Sequence, residues 1–166
     1  MGNVGYTARK DRRTLKYNVY NINQKGISMS NLLTMEEIFN LQPGMGGLHN
    51  LLNLHTAFID EQGVFTLKLT ITEQLLNPKG NVHGGTLFAL CDSAVGAYIA
   101  SQHQWAVTVD STIHFFRPAL CGDNLIARVF ERKKGHTIST FSVEVYNGKN
   151  QNIADATFTM YYTKER

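Results

Sequence analysis

The stretch Asn77–Gln102, NPKGNVHGGTLFALCDSAVGAYIASQ, decides how this chain is read. Its first part is a loop that turns sharply through His83-Gly84-Gly85. From Thr86 to Ala100 the residues are almost wholly apolar or small, which predicts a helix buried on every side. One charged residue, Asp92, sits in the middle of that run. Moving an isolated carboxylate out of water is costly enough that such a group is normally paired or neutralised. An acid inside a buried helix, two turns past a glycine-rich start, is therefore the leading functional candidate.

The start of the same helix is the second candidate. Helix N-termini expose free backbone N–H groups and the positive end of the macrodipole. Gly84 and Gly85 let a ligand approach that backbone closely. Such a site can hold a phosphate or a developing oxyanion. The plainer alternative is that the glycines only permit tight helix–sheet packing. Asp92 lies eight residues beyond Gly84, or about 12 Å at a rise of ~1.5 Å per residue. Groups acting on one carbonyl must lie within about 3–3.5 Å of the reacting atoms. One chain therefore cannot readily supply both. Two copies of the helix, antiparallel about a two-fold axis, could, with Ala89, Ser93, Ala94, Gly96 and Ala97 allowing close approach. A catalytic reading thus predicts an obligate homodimer with two sites across its interface. A solvent-facing Asp92, or one locked to an arginine, is the plainer alternative.

Outward from this helix the chain reads as one domain of 166 residues preceded by an arm. Residues 1–28 are polar and carry Arg9, Lys10, Arg12, Arg13, Lys16 and Lys25 against Asp11. That is a local balance of +5, which leaves the remaining residues at −2 against a chain total of +3. The arm reads as flexible, and 29–166 as the folded domain. A start at Met29 or Met35 would make the arm an artefact, which mass spectrometry of the native protein decides. The mildly acidic body does not suggest nucleic-acid binding. The N-terminus lacks the apolar segment of a secretory signal, and Asp92 interrupts the best apolar run well short of a membrane span. A cytoplasmic protein is expected, with no membrane partner. Cys91 and Cys121 form no metal-binding pattern and read as buried or semi-buried thiols.

Leu32–Leu41 suits a short helix with Thr34 as N-cap and Glu36 and Glu37 near its positive end, stopped by Pro43-Gly44. Residues 45–51 suit a second helical turn. Asn53–Ile59 and Val64–Thr72 alternate as strands around the turn Asp60-Glu61-Gln62-Gly63. Phe65, Leu67, Leu69 and Ile71 share one face. After the central helix come Trp105–Phe116, Leu125–Arg132, Thr137–Tyr146 and Ile153–Tyr162. In the first of these Val107, Val109, Ser111, Ile113 and Phe115 are expected on one side. Two strands, a buried helix and four strands have a simple solution: a sheet wrapped around the helix, an α+β architecture.

Asn77, Gly80, His83-Gly84-Gly85 and Asp92, at these spacings, resemble the signature of the hotdog-fold acyl-CoA thioesterases of the PaaI type. The resemblance runs from about Leu51 to Tyr162 and includes Val109–Ala119, VDSTIHFFRPA. It implies a curved antiparallel sheet of about six strands around one long helix, dimerised and commonly a dimer of dimers. It implies hydrolysis of an acyl-CoA to free CoA and a carboxylic acid. The Gly84 N–H would polarise the thioester carbonyl, and Asn77 would place the carbonyl or the water. His83 would brace the turn. Asp92 of the partner would act as base or nucleophile, and Thr108 would orient the water or Asp92. The reaction needs no metal and no cofactor, since fixed N–H donors stabilise the oxyanion and thiolate leaves readily.

Arg132, Lys133, Lys134 and His136 form a basic turn that, with Gly85, could meet CoA, unless it is a solvated hairpin tip. Arg117 and Arg128 are weaker candidates for the same role. His49 could line the acyl entrance. His114 reads as a packed or surface strand residue, and His55 and His103 have no usable partner spacing. Two rivals remain. One is a hotdog hydratase, whose histidine and carboxylate are arranged differently. The other is an acyl-CoA-binding regulator without turnover, its basic arm contacting DNA.

Overall fold

The computed structural model describes residues 32–39, 47–54, 56–60 and 62–163. The basic arm, Pro43-Gly44, His55 and Glu61 lie outside the described residues. Seven strands form one antiparallel sheet. They are β1 (Leu32–Thr34), β2 (Thr56–Ile59), β3 (Phe65–Thr70), β4 (Trp105–Phe115), β5 (Asn124–Lys133), β6 (Ile138–Asn147) and β7 (Asn152–Thr163). Their order across the sheet is β1-β2-β3-β5-β6-β7-β4. Among the described residues, three α-helices accompany them: α1 (Met35–Phe39), α2 (Leu48–Leu51) and α3 (Gly84–Ser101).

α3 packs across one face of the sheet, as the apolar run predicts. Alternate residues of the central strands point at it: Leu67 and Leu69 from β3, Leu125, Ala127 and Val129 from β5, Phe141, Val143 and Val145 from β6, and Phe158 and Met160 from β7. From α3 itself Leu87, Leu90, Cys91, Ala94, Val95, Ala97 and Ile99 complete the core. No helix among the described residues is long and apolar enough to cross a membrane.

Coverage of α3 is not complete. Gly85 is exposed, and Phe88, Ala89, Asp92 and Gly96 are half-buried, while the positions between them are buried. These residues recur at helical spacing and so form one stripe along α3. Ser93, Ala94 and Ala97, expected to face a second helix, instead pack inside their own chain.

The expected helix over Leu32–Leu41 is divided. Leu32–Thr34 is a seventh strand, paired with β2 through Leu32↔Phe58, Leu33↔Ala57 and Thr34↔Thr56. Helix begins only at Met35 because Thr34 is its cap. Thr34 Oγ1 accepts from the Glu37 N–H (3.1 Å), and Glu37 Oε2 accepts from the Thr34 N–H (3.0 Å). This reciprocal pair is a capping box.

β4 departs from strict alternation. Its pairing with β7 shifts between Thr108 and Asp110, which marks a bulge at Val109. A bulge adds one residue and reverses which side chains face the core. Ala106 packs against the core before it and Ile113 after it. Val107 and Ile113 therefore do not share a face, contrary to the alternating pattern. β4 is also an edge strand, and its apolar side chains are uncovered. Trp105, Val107, Val109 and Phe115, with the adjacent Phe116, are each 42–56% exposed.

Candidate active site

The loop before α3 is built by Asn77. Its Oδ1 accepts from the backbone N–H of Lys79 (2.9 Å) and of Asn81 (3.3 Å). Its own N–H donates to the Asn81 carbonyl (2.7 Å). The tight turn this closes requires Gly80 at φ +79°. Oδ1 is thus spent on the loop, and the Nδ2 amide is left for other partners. The loop is anchored where the His83 N–H donates to the Leu75 carbonyl (2.8 Å) and the Val82 N–H to that of Ala119 (2.8 Å).

His83 caps α3. Its Nδ1 accepts from the Gly85 N–H at 2.9 Å, and its carbonyl accepts from Thr86 and Leu87. The bracing role expected of His83 thus has a definite geometry. It also engages Gly85, whose N–H belongs to the cap. The Gly84 N–H, by contrast, makes none of the hydrogen bonds among the described residues. A Cβ on Gly84 would lie 3.3 Å from Phe115 Cζ. Gly84 therefore lies beside an aromatic ring. Sequence reasoning missed Phe115 in this role, because the bulge decides which way it points.

Asp92 lies two turns along α3. The Thr108 hydroxyl donates to its Oδ1 at 2.6 Å, a short charge-assisted bond. Thr108 Oγ1 also lies 3.4 Å from Met160 Sδ. The structure thus brings Thr108 and Asp92 together. The bulge after Thr108 is what allows this: Thr108 and Ile113 can both face the helix only if alternation breaks between them. Asp92 is half-buried and has no arginine partner among the described residues, so the ion-pair alternative does not hold there. Next to it, Cys91 is fully buried. Burial, with the fields of Asp92 and Asp155, pushes its thiol up to about 12, so it is no nucleophile near neutral pH. Cys121 is exposed, not semi-buried as expected.

A second histidine enters the field of Asp92. His49 of α2 stacks on Phe39 of α1, ring centroids 5.2 Å apart, and Phe39 in turn meets Trp105 at 6.3 Å. Burial lowers the His49 pKa from its ordinary value, and the Asp92 charge opposes that shift.

The basic turn is elsewhere. Glu131 near the end of β5 accepts from the hydroxyl of Tyr98 (3.3 Å), near the C-terminal end of α3. Lys133, Lys134 and His136 therefore stand at that end and exposed, roughly 20 Å or more from Gly84 of the same chain at ~1.5 Å per helical residue. Arg132 is engaged already: its Nε donates to Ser142 Oγ (2.6 Å) and its guanidinium covers the Phe130 ring. Arg128 pairs with Asp60 at 2.8 Å, and Arg117 donates to the Asn152 carbonyl. Within one chain the turn bearing Lys133, Lys134 and His136 is not brought to Gly84, and Arg117, Arg128 and Arg132 are engaged with the partners named.

This arrangement has relatives. The family model of the thioesterase superfamily matches residues 79–154. The acyl-coenzyme A thioesterase PaaI of Escherichia coli K12 is 34% identical over 94 residues, 57% of this chain and 67% of PaaI. The solved structure of the E. coli PaaI protein from the phenylacetic acid degradation operon superposes with a TM-score of 0.67 at 29% identity, covering 72% of this chain and 86% of that one. A hypothetical thioesterase protein from Streptococcus pneumoniae TIGR4, solved with coenzyme A, superposes with a TM-score of 0.60 at 31% identity, covering 62% and 80%. That protein has also been solved with an aspartate changed to alanine and with a threonine, sixteen positions further on, changed to alanine. With its sheet wrapped on one long helix and its His-Gly-Gly helix start, this chain belongs to the hotdog-fold thioesterase superfamily.

Proposed function

We propose that the protein hydrolyses an acyl-CoA thioester to free CoA and a carboxylic acid, at two sites that each combine two chains. The observation that carries this reading is the 2.6 Å bond from Thr108 to Asp92, beside a helix whose first N–H, at Gly84, is unused. Sixteen residues separate Asp92 from Thr108, as sixteen separate the two substituted positions of the streptococcal protein.

The chemistry follows from these groups. The thioester carbonyl oxygen sits at the Gly84 N–H, where the helix dipole and the free donor stabilise the charge that develops on attack. Asn77 Nδ2, not used in building the loop, would assist at the same oxygen or at the water. Thr108 holds Asp92 Oδ1, so Oδ2 takes the proton of the attacking water or itself attacks the carbonyl. Collapse of the tetrahedral intermediate expels CoA thiolate; where Oδ2 itself attacks, the resulting anhydride is then hydrolysed by water, which frees the acid and restores Asp92. Lys133, Lys134 and His136 reach CoA phosphates only from another chain.

Gly84 and Asp92 of one chain stand about 12 Å apart, too far for one carbonyl. A second copy supplies the missing half. The apolar edge of β4 and the uncovered stripe of α3 through Asp92 are the surfaces such a copy would cover, because large exposed apolar surface marks an interface. A dimer of dimers extends the same reading.

The test measures CoA release by chromatography from aryl, medium-chain and long-chain acyl-CoA. Turnover by the native protein, falling at least about a hundredfold in Asp92→Asn, supports the reading. Tight acyl-CoA binding without turnover sinks it in favour of a non-catalytic sensor. The two-chain site has its own test. Gly84→Pro deletes the N–H at the first helical position, where proline is tolerated, after a His83 already at ψ 138°. Mixed Gly84→Pro and Asp92→Asn subunits should recover activity that neither variant has alone. No recovery after subunit exchange refutes sites shared between chains.

A further inference from the structure

His49 lies outside the 79–154 region that the thioesterase family model matches. Its position follows from two ring contacts. Phe39 lies over α3 where Gly96 leaves room, a Cβ there meeting Phe39 Cζ at 3.9 Å. Gly96 is one turn beyond Asp92 and on the same face. His49 stacks on that Phe39 at 5.2 Å with the rings 24° apart. α1 and α2 therefore carry an imidazole to the face of α3 that displays Asp92.

Among the described residues, the charged surroundings of His49 are simple. Phe39 of α1 is its aromatic neighbour, itself in contact with Trp105 of β4, and Glu37 of α1 is held by Thr34. From α3 the one charge acting on it is Asp92. We propose that His49 is a positioning residue for Asp92: neutral, it leaves the carboxylate free to act; protonated, it draws the carboxylate into an ion pair and stops turnover. This rests on Asp92 being the reacting carboxylate. Partial burial supports the neutral form at working pH, since it disfavours the imidazolium. An imidazolium next to Asp92 would stabilise the anion and so weaken it as base or nucleophile.

The experiment has two arms on the full chain. The first follows the His49 imidazole by NMR from pH 4.5 to 8.5 in native protein and in Asp92→Asn. Loss of the neighbouring charge should move the His49 midpoint down; an unchanged midpoint overturns the coupling, whatever the protein's activity. The second records kcat against pH for native protein, His49→Phe and His49→Gln. His49→Phe keeps the ring stack on Phe39, and His49→Gln keeps a polar group, so a folding defect in one does not void the test. Both should hold their activity to lower pH, the acid limb moving by roughly half a unit or more, with KM little changed. Acid limbs that superimpose on the native curve overturn the proposal. A native protein with no acyl-CoA turnover removes the functional reading and the catalytic half of this one, while the first arm still decides the coupling.

Discussion

Replacing Thr108 with valine keeps the branched shape of the side chain and deletes the hydroxyl that donates to Asp92 Oδ1 at 2.6 Å. A hydrogen bond to a charged group is worth about 1.5–3 kcal/mol. If Thr108 orients the reacting carboxylate, that energy is lost from the transition state. At about 1.4 kcal/mol per tenfold in rate, kcat should fall roughly 10- to 150-fold. The lower part of that range applies if water reaches the pair, since Thr108 is exposed in the single chain. The upper part applies if a second chain covers β4. KM should stay within about twofold, because the bond holds a reacting group rather than the body of the substrate. Thr108→Ser keeps the donor and should retain most of the activity. The assay is CoA release with the substrate that the panel ranks first, alongside thermal unfolding to confirm that both variants are folded. If Thr108→Val turns over within about twofold of native protein, the hydroxyl does not position Asp92 for catalysis and the site as argued is wrong.

Other consequences are as direct. His83→Ala removes the acceptor of the Gly85 N–H and should cost about 0.5–2 kcal/mol in urea unfolding, whereas His83→Asn, a favoured cap, should recover most of it. A thiol reagent at pH 8 should modify Cys121 in the folded protein and leave Cys91 unmodified, because Cys121 is exposed and Cys91 titrates only at about 12; two thiols reacting at equal rates would contradict this packing. A Cβ at Gly135 would collide with the Ile138 carbonyl in the β5–β6 turn, so Gly135→Ala should destabilise by about 1–3 kcal/mol. His49 has a folded pKa below its ordinary 6.5, so the folded state binds fewer protons than the unfolded state between those two values. Its contribution to stability is present above about pH 6.5 and is lost as pH falls toward the folded value; the stability gap between His49→Phe and native protein should change across that window, and a constant gap would refute the shift.

The helix and its acid were legible because the signals are local. An apolar run broken by a single Asp is visible in composition alone. His-Gly-Gly places the helix start within a residue or two of where His83 caps it. The hairpins followed from Asp60–Gly63 and Asn147–Asn150, where side chains bond their own backbone: Asp60 Oδ1 accepts from Gln62 and Val64, and Asn147 Oδ1 from Lys149 and Gln151. Leu32–Thr34 misled for the opposite reason. Three residues beside a strong helix cap read as helix, and only pairing with the distant β2 makes them a strand. Tertiary pairing outranks propensity over so short a span.

The site itself depended on a feature that alternation hides. A period of two predicts faces only while the ladder is regular, and the bulge at Val109 changes the phase within β4. Without it, Thr108 and Ile113 point to opposite sides, and Asp92 has no hydroxyl. The same limit applies to α3. A run apolar all round says that the helix is covered everywhere, but not by what. One chain covers the side carrying Leu90, Cys91, Ala94 and Val95 and leaves open the stripe through Ala89, Asp92 and Gly96. The apolar residues on that stripe and on the β4 edge are as hydrophobic as the core, yet this chain alone does not bury them. That uncovered surface is what the proposed second copy would cover. Asp92, the carboxylate proposed to react, lies on that boundary, and it is there that catalysis and assembly would depend on the same residues.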